Sequence, residues 1–110
     1  MKLLLPAIAL IAAMTLSLAG RADTGEFTIA IKNHRFEPAE LTVPAGKRVK
    51  LVIDNRDATP EEFESHDLKR EKVIAGKTKA VIWVGPLSPG KYRFFGEFHE
   101  ATAKGVLIAK

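Results

Sequence analysis

Residues 80–95 read AVIWVGPLSPGKYRFF and contain two short β-type runs separated by turn signals. The first run is Ala80–Val84, the turns are Gly85-Pro86 and Pro89-Gly90, and the second run is the aromatic segment Tyr92–Phe95. Branched and aromatic residues favour strands, whereas proline and glycine end them. The segment therefore predicts two consecutive strands.

Four further runs of the same kind are Phe27–Ile31, Leu41–Val43, Val49–Ile53 and Val106–Ala109. Alternation in the first of these places Phe27, Ile29 and Ile31 on one face. Roughly six or seven short strands, with no helical period and no internal repeat, indicate an all-β fold, an antiparallel sandwich or barrel rather than βαβ units. The aromatic side chains of Trp83 and Phe94 are expected in its core.

The first 22 residues have the pattern of a secretory signal peptide. Lys2 supplies a positive charge, Leu3–Ala19 is uncharged and mostly apolar, and small residues follow. We expect residues 1–22 to be cleaved after Ala19 or Ala22, which leaves residues 23–110 as one domain exported to the periplasm. An uncleaved membrane anchor is the alternative, because the apolar run of 17 residues is at the lower limit for crossing about 30 Å of hydrocarbon.

The composition removes several classes of chemistry. The 110-residue chain has no cysteine, which excludes disulfides and cysteine-based zinc or iron–sulfur sites. Removal of residues 1–22 takes away both methionines and leaves 15 of the 17 basic groups against 13 acidic ones, a net charge of +2. That charge is too small to indicate a nucleic-acid partner. The metal ligands that remain are histidine, carboxylates and other oxygen donors.

The segment 55–71 is polar and rich in possible ligands, and we expect it to be a long functional loop between two strands. Within it, Glu62, Glu64 and His66 alternate with Phe63 and share one side of an extended chain. Two carboxylates and an imidazole suit a hard or borderline cation. A solvated face anchored by Phe63 is the alternative interpretation of the same pattern.

A second cluster follows the aromatic strand, where Glu97 and His99 are two residues apart. Both can lie on one face at a strand end. His34, the third histidine, lies at another predicted strand end and is either a ligand or a capping or surface residue. Two such clusters in one small β domain favour a site, because a metal needs ligands that converge from different strands.

Taken together, these segments resemble a cupredoxin domain from about residue 27 to residue 110. The resemblance rests on FEP at 36–38, LTVPAG at 41–46, the strand end VIDN at 52–55 and LSPGKYRFF at 87–95. It implies a Greek-key β-sandwich or barrel of the cupredoxin type.

The resemblance also implies positions for the family's copper ligands. In cupredoxins the aromatic strand is followed by a cysteine, a histidine three residues later and a methionine five residues after that, and here those places hold Gly96, His99 and Lys104. The remaining ligand is a histidine after the Asn-ended strand, and the best match is Glu62. Because the cysteine is missing, blue-copper electron transfer is not expected.

Two motifs, EEFESHDL at 61–68 and GEFH at 96–99, resemble a narrower group. It comprises the periplasmic cupredoxin-like proteins that accompany bacterial high-affinity iron permeases and the N-terminal cupredoxin domain of EfeO-type iron-uptake proteins. The resemblance implies binding of iron or copper ions and a proposed role in oxidising ferrous iron for a membrane permease. The EfeO-type domain also uses cysteines, at the place of Gly96 and near Phe36, which this chain lacks.

The chemistry and the resemblance together give the candidate metal ligands. The first choices are Glu62, Glu64, Glu97 and His99, and the second choices are His66, Glu71 and His34. Carboxylates favour the more highly charged Fe(III) over Fe(II), so such a site assists iron oxidation. The leading hypothesis is a periplasmic protein that passes or oxidises iron, with copper as a candidate oxidising cofactor. A copper(II)-handling protein unrelated to iron and a metal-free structural or docking sandwich are the alternatives.

Overall fold

The computed structural model describes residues 25–110. The predicted signal peptide and both cleavage positions lie outside the described residues. The described chain consists of strands and one 3₁₀ turn: β1 Glu26–Lys32, β2 Arg35–Glu37, β3 Glu40–Val43, β4 Val49–Asn55, β5 Glu61–Ser65, β6 Arg70–Ile74, β7 Lys79–Val84, β8 Gly90–Gly96, the turn Glu97–His99, and β9 Lys104–Ala109. Within residues 25–110, no helix has the length and apolar character needed to cross a membrane.

Two sheets pack face to face, which confirms the predicted all-β sandwich. One sheet has the order β2-β1-β4-β7 and the other has the order β3-β9-β8-β5-β6. Among the described strands, five pairs are antiparallel, as expected, whereas β1 pairs with β4 and β3 pairs with β9 in parallel. Whether two paired strands run parallel or antiparallel depends on where the chain crosses between the sheets. The alternation of residues within one strand carries no information about that relative direction.

The core lies between the sheets and is built from the inward residues of alternating strands. Ile29 and Ile31 are fully buried as predicted, and the rings of Phe63 and Phe94 stack with centroids 5.0 Å apart. The expectation that Trp83 is a core residue is wrong, since its side chain is 42% exposed. Its neighbours in β7 point inward, so the period of two turns Trp83 outward, where the Arg48 guanidinium lies 4.4 Å from the ring centroid.

The segment 55–71 is not a long loop, contrary to expectation. It contains β5 and the beginning of β6, which pair with each other, and β5 also pairs with β8. Asn55 anchors the remaining connection, because its buried side chain donates to the carbonyls of Thr59 and Ile74 and accepts from the N–H of Asp57. The strand β5 therefore lies beside the end of β8, and this contact brings the two predicted ligand segments together.

Candidate metal centre

The strand β5 separates its acidic side chains onto two faces. Glu61, Phe63 and Ser65 point inward and are buried, whereas Glu62 and Glu64 are half-buried on the outer face. This alternation is the ordinary period of a strand. The two faces carry two different polar clusters, an inner one around Glu61 and an outer one of carboxylates.

The inner cluster is organised by Glu61, whose carboxylate is almost completely shielded from solvent. One carboxylate oxygen, Oε1, accepts hydrogen bonds from the backbone N–H groups of Glu62 and Phe98, both at 2.9 Å. The other, Oε2, lies 2.6 Å from Nδ1 of His99. A buried charge is tolerated when it is hydrogen-bonded and paired in this way. Glu61 is not among the ligands predicted from the sequence.

Gly96 leaves the space that the Glu61 carboxylate fills. A Cβ atom at Gly96 would lie 2.7 Å from Cδ of Glu61 and 2.7 Å from Cβ of Ala103. The residue opposite Gly96 in β5 is Phe63, so position 96 faces the interior. Glu61, and not Glu62, is therefore the β5 residue whose side chain lies beside Gly96 and His99.

His34 lies against His99 at the edge of the inner cluster. The two imidazole rings are stacked with centroids 3.6 Å apart and an interplanar angle of 12°. His34 belongs to the β1–β2 turn and has a left-handed backbone, with φ of 59°. Asp57 stabilises that turn by accepting hydrogen bonds from the backbone N–H groups of Asn33 and His34. Partial burial acts to raise the pKa of Asp57, but these two hydrogen bonds and the electrostatic effect of His34 and His99 together bring the pKa below its ordinary value.

The outer cluster consists of Glu62, Glu64 and Glu97. One carboxylate oxygen from each residue can be chosen so that all three lie within 4.8 Å of one another. Glu62 and Glu64 come from β5, and Glu97 comes from the turn after β8. Glu71 on β6 lies directly opposite Glu64 in the strand register and adds a fourth acidic group to this surface.

The crowding of these carboxylates changes their acidity. Partial desolvation, followed by the charges of Glu97, Glu64 and Glu71 and a hydrogen bond with Glu97, raises the pKa of Glu62 to about 7. Desolvation and a hydrogen bond with Glu97 also raise the pKa of Glu64, with His66 acting weakly in the opposite direction. The cluster therefore resists carrying its full negative charge unless a cation is present.

Two predicted residues lie at the margins of the outer cluster. His66 follows the end of β5 at Ser65 and packs its ring against Phe95, with centroids 5.6 Å apart. It lines an open pocket together with Glu64, Glu71 and two basic residues of the β5–β6 turn. Lys104 pairs with Phe95, the residue before Gly96, and its side chain is exposed. Its neighbour Ala103 is buried, so the period of two turns Lys104 to the outer face, away from the inner cluster.

The seven predicted ligands thus fall into two groups. Glu62, Glu64 and Glu97 come together on the outer face, with Glu71 and His66 beside them, whereas His99 and His34 stack at the inner cluster. Glu62 and His99 therefore point away from each other across β5. Glu61 is two residues from Phe63, so the alternation of a strand puts both on the inner face. Glutamate is nevertheless rarely buried, so this position alone did not indicate a buried carboxylate. Asp57, the residue that fixes the His34 turn, carried no comparable signal.

The sequence matches the cupredoxin-like domain family over residues 4–109, and the chain belongs to that family. It is also similar to an uncharacterized protein of Rickettsia prowazekii (strain Madrid E), with 48% identity over 83 residues. That alignment covers 76% of this chain and 66% of the relative, just under two thirds of the relative's length.

The fold is similar to several solved cupredoxin structures. Auracyanin A from Chloroflexus aurantiacus, described as a "blue" copper protein, superposes with a TM-score of 0.67 at 16% identity, covering 77% of this chain and 98% of the other. The purple cupredoxin from Nitrosopumilus maritimus gives 0.59 at 18% identity, covering 76% and 98%. Amicyanin from Paracoccus versutus gives 0.62 at 14% identity, covering 84% and 88%. At these identities the likeness establishes the fold alone.

The residues of the inner cluster do not fit the blue-copper site that such a fold can hold. A blue site requires a cysteine thiolate with two histidines, and the cysteine place is Gly96, where even a Cβ atom has no room. Two ligands about 2.0–2.1 Å from one tetrahedral ion lie about 3.3 Å apart. Nδ1 of His99 and Oε2 of Glu61 are closer than that, at the distance of a direct hydrogen bond.

Proposed function

We propose that this cupredoxin-like protein binds a hard or borderline metal cation through the outer carboxylates of Glu62, Glu64 and Glu97. The observation that carries the proposal is the convergence of three carboxylate oxygens within 4.8 Å from two separate segments of the fold. Oxygens on opposite sides of a hard ion are separated by about 4–5 Å, so this spacing suits a single ion.

The electrostatics of the cluster support cation binding. Desolvation and the neighbouring carboxylates together raise the pKa of Glu62 to about 7, and a cation bound between the carboxylates removes the repulsive part of that shift. Carboxylate oxygen prefers small and highly charged ions, and no cysteine or methionine lies within residues 25–110 to favour a soft ion. Iron(III) and copper(II) both accept carboxylate oxygen, and iron and copper are also the metals that the resemblance implies.

The proposed biological role is iron uptake. The EEFESHDL and GEFH motifs resemble proteins that accompany iron permeases, and this resemblance supports a periplasmic location and a membrane iron permease as partner. A carboxylate site stabilises Fe(III) relative to Fe(II) and so lowers the reduction potential of bound iron. In the proposed oxidation, Fe(II) at this site would lose one electron to become Fe(III), and a copper(II) ion supplied from solution would accept that electron to become copper(I).

The test is a titration of the metal-free protein with copper(II), iron(II) and iron(III), followed by calorimetry and absorption spectroscopy. We expect one ion per chain and no intense blue absorption. Glu97→Gln removes one proposed ligand and should weaken binding strongly. Glu100→Gln is the matched control, because it makes the same charge change three residues away on an exposed side chain outside the cluster. Equal affinities in the two variants would reject the site.

Oxidation and location need separate measurements. Oxygen uptake or copper(I) formation during addition of Fe(II) tests the oxidase role, and a rate no faster than buffer rejects that role but not binding. Copper(II) binding without any binding of iron favours the copper-handling alternative. Cell fractionation, followed by N-terminal sequencing of the periplasmic protein, tests export and cleavage after Ala19 or Ala22.

A further inference from the structure

A single buried carboxylate connects the two segments that carry the outer carboxylates. Oε1 of Glu61 accepts from the N–H of Glu62 in β5 and from the N–H of Phe98 in the turn after β8, each at 2.9 Å. Glu62 is itself in the outer cluster, and Phe98 follows Glu97, another member. The distance between the two segments is therefore set by hydrogen bonds to one oxygen atom.

Besides Glu61, the turn Glu97–His99 is held against β5 by the pairing of Gly96 with Phe63 and by hydrogen bonds of the Glu97 side chain with Glu62 and Glu64. Gly96 at its beginning provides no side-chain capping hydrogen bond, and the side chain of Phe98 is 49% exposed. Within the loop, the carbonyl of His99 accepts from the N–H groups of Thr102 and Ala103, which closes the loop on itself. Glu61 supplies the buried contacts of this closed loop with β5, at the Phe98 N–H and the His99 ring.

A second layer covers the Glu61–His99 contact from outside. The ring of His34 stacks on His99, and the backbone carbonyl of His34 accepts a hydrogen bond of 2.6 Å from Oγ1 of Thr102. Asp57 in turn fixes the His34 backbone. Glu61 is thus buried beneath the turn after β8 and the β1–β2 turn, and it cannot contact an ion on the outer face.

From this geometry we infer that Glu61 is a positioning residue, which sets the metal affinity of the outer carboxylates without touching the ion. Its backbone hydrogen bonds hold Glu97 against Glu62 and Glu64. The consequence for metal affinity rests on the proposed function, whereas the consequence for the position of the turn does not. Residues that orient metal ligands from behind typically change affinity by roughly 10- to 100-fold when they are altered.

Two substitutions separate the hydrogen bonds of Glu61 from its charge. Glu61→Asp keeps a carboxylate but is one methylene shorter, so it cannot reach both N–H groups. Glu61→Gln loses the charge but keeps an amide oxygen for both N–H groups, and its NH₂ group can donate to Nδ1 of His99. Glu40→Gln is the control for charge alone. Glu40 is exposed on β3, and the strands β9 and β8 lie between β3 and β5 in the same sheet.

The first readout is amide hydrogen exchange in the metal-free variants, measured by NMR. Positioning by hydrogen bonds predicts that the Phe98 and Glu62 amides lose protection in Glu61→Asp and keep it in Glu61→Gln. The reverse order, or unchanged protection in both variants, overturns the inference. This readout decides the question even if the wild-type protein binds no metal.

The second readout is affinity for terbium(III), a hard trivalent probe, followed by its luminescence. We expect a decrease of roughly 10- to 100-fold in Glu61→Asp and near wild-type affinity in Glu61→Gln and Glu40→Gln. Stronger loss in Glu61→Gln than in Glu61→Asp means that charge, not position, is the contribution, and the inference is then wrong. Absence of terbium binding in the wild type counts against the proposed function alone, since the exchange data still test the position of the turn.

Discussion

The substitution Gly96→Ala tests whether the place that the resemblance assigns to a cysteine has room for a side chain. The added Cβ would lie 2.7 Å from Cδ of Glu61, 2.9 Å from its Oε2, and 2.7 Å from Cβ of Ala103. Carbon atoms in good contact are about 3.5–4.0 Å apart, so the new atom is about 1 Å too close on two sides. Overpacking of this kind costs about 1–3 kcal/mol.

The expected loss of stability is large enough to measure by thermal unfolding. For a domain of this size each kcal/mol corresponds to about 4–8 °C in Tm, so about 2 kcal/mol lowers Tm by about 8–16 °C. Circular dichroism on the metal-free protein gives the value. The control is the double variant Gly96→Ala/Ala103→Gly, which removes one of the two clashing neighbours and should recover part of the loss. A decrease of less than about 2 °C in the single variant would show that the space is open and refute the reasoning.

The remaining predictions concern pH, the Asn55 anchor and the His34 turn. The pKa of Glu62 rises from its ordinary 4.5 to about 7, so between these two values the native state binds more protons than the unfolded chain. The related stability is complete below pH 4.5 and is lost as pH rises through 7. Urea unfolding followed against pH should show a smaller decline in Glu62→Gln than in the wild type, because the raised pKa of Glu64 alone remains in the variant. Asn55→Leu removes the hydrogen-bond partner of the Thr59 and Ile74 carbonyls and of the Asp57 N–H, so the free energy of unfolding should fall by about 1–3 kcal/mol. Urea titration measures this loss, and an unchanged midpoint would contradict the anchoring role. Asp57→Ala removes the acceptor of the Asn33 and His34 N–H groups, so the ring protons of His99 should lose the ring-current shift caused by stacking in NMR spectra; spectra identical to wild type would show that the turn does not depend on Asp57.

The strands with apolar alternation were predictable because their pattern is local. The runs 27–31, 49–53 and 80–84 each place branched residues on one face, and each lies within an observed strand. The same rule shows why Trp83 faces solvent, since Ile82 and Val84 take the inward positions. The core position was predicted for Trp83 from its size and aromatic ring, whereas the period of two in β7 correctly indicates an outward side chain.

The hairpin of β5 and β6 was missed because its residues are mostly charged. In β5 only Phe63 is apolar, and β6 is an edge strand whose first four residues are exposed. The local composition is therefore that of a loop. Pairing with β8 on one side and with β6 on the other decides the structure, and neither contact is visible in the segment itself.

The outer cluster was more predictable than the inner one. Alternation in β5 placed Glu62 and Glu64 together, and the resemblance brought Glu97 close to them. The burial of Glu61 depends on donors that lie 37 and 38 residues further along the chain, the Phe98 N–H and the His99 ring. A glutamate becomes an acceptable core residue only when the fold supplies those donors, so spacing alone could not identify it.

The central claim is that a metal ion binds at the outer carboxylates and not at the blue-copper place. The most direct measurement is a crystal structure of the protein loaded with copper(II) or iron(III), with the ion located by anomalous scattering. The account predicts one strong peak between the carboxylates of Glu62, Glu64 and Glu97, with the Glu61–His99 hydrogen bond intact. A peak between Glu61 and His99, with the outer carboxylates empty, would contradict it.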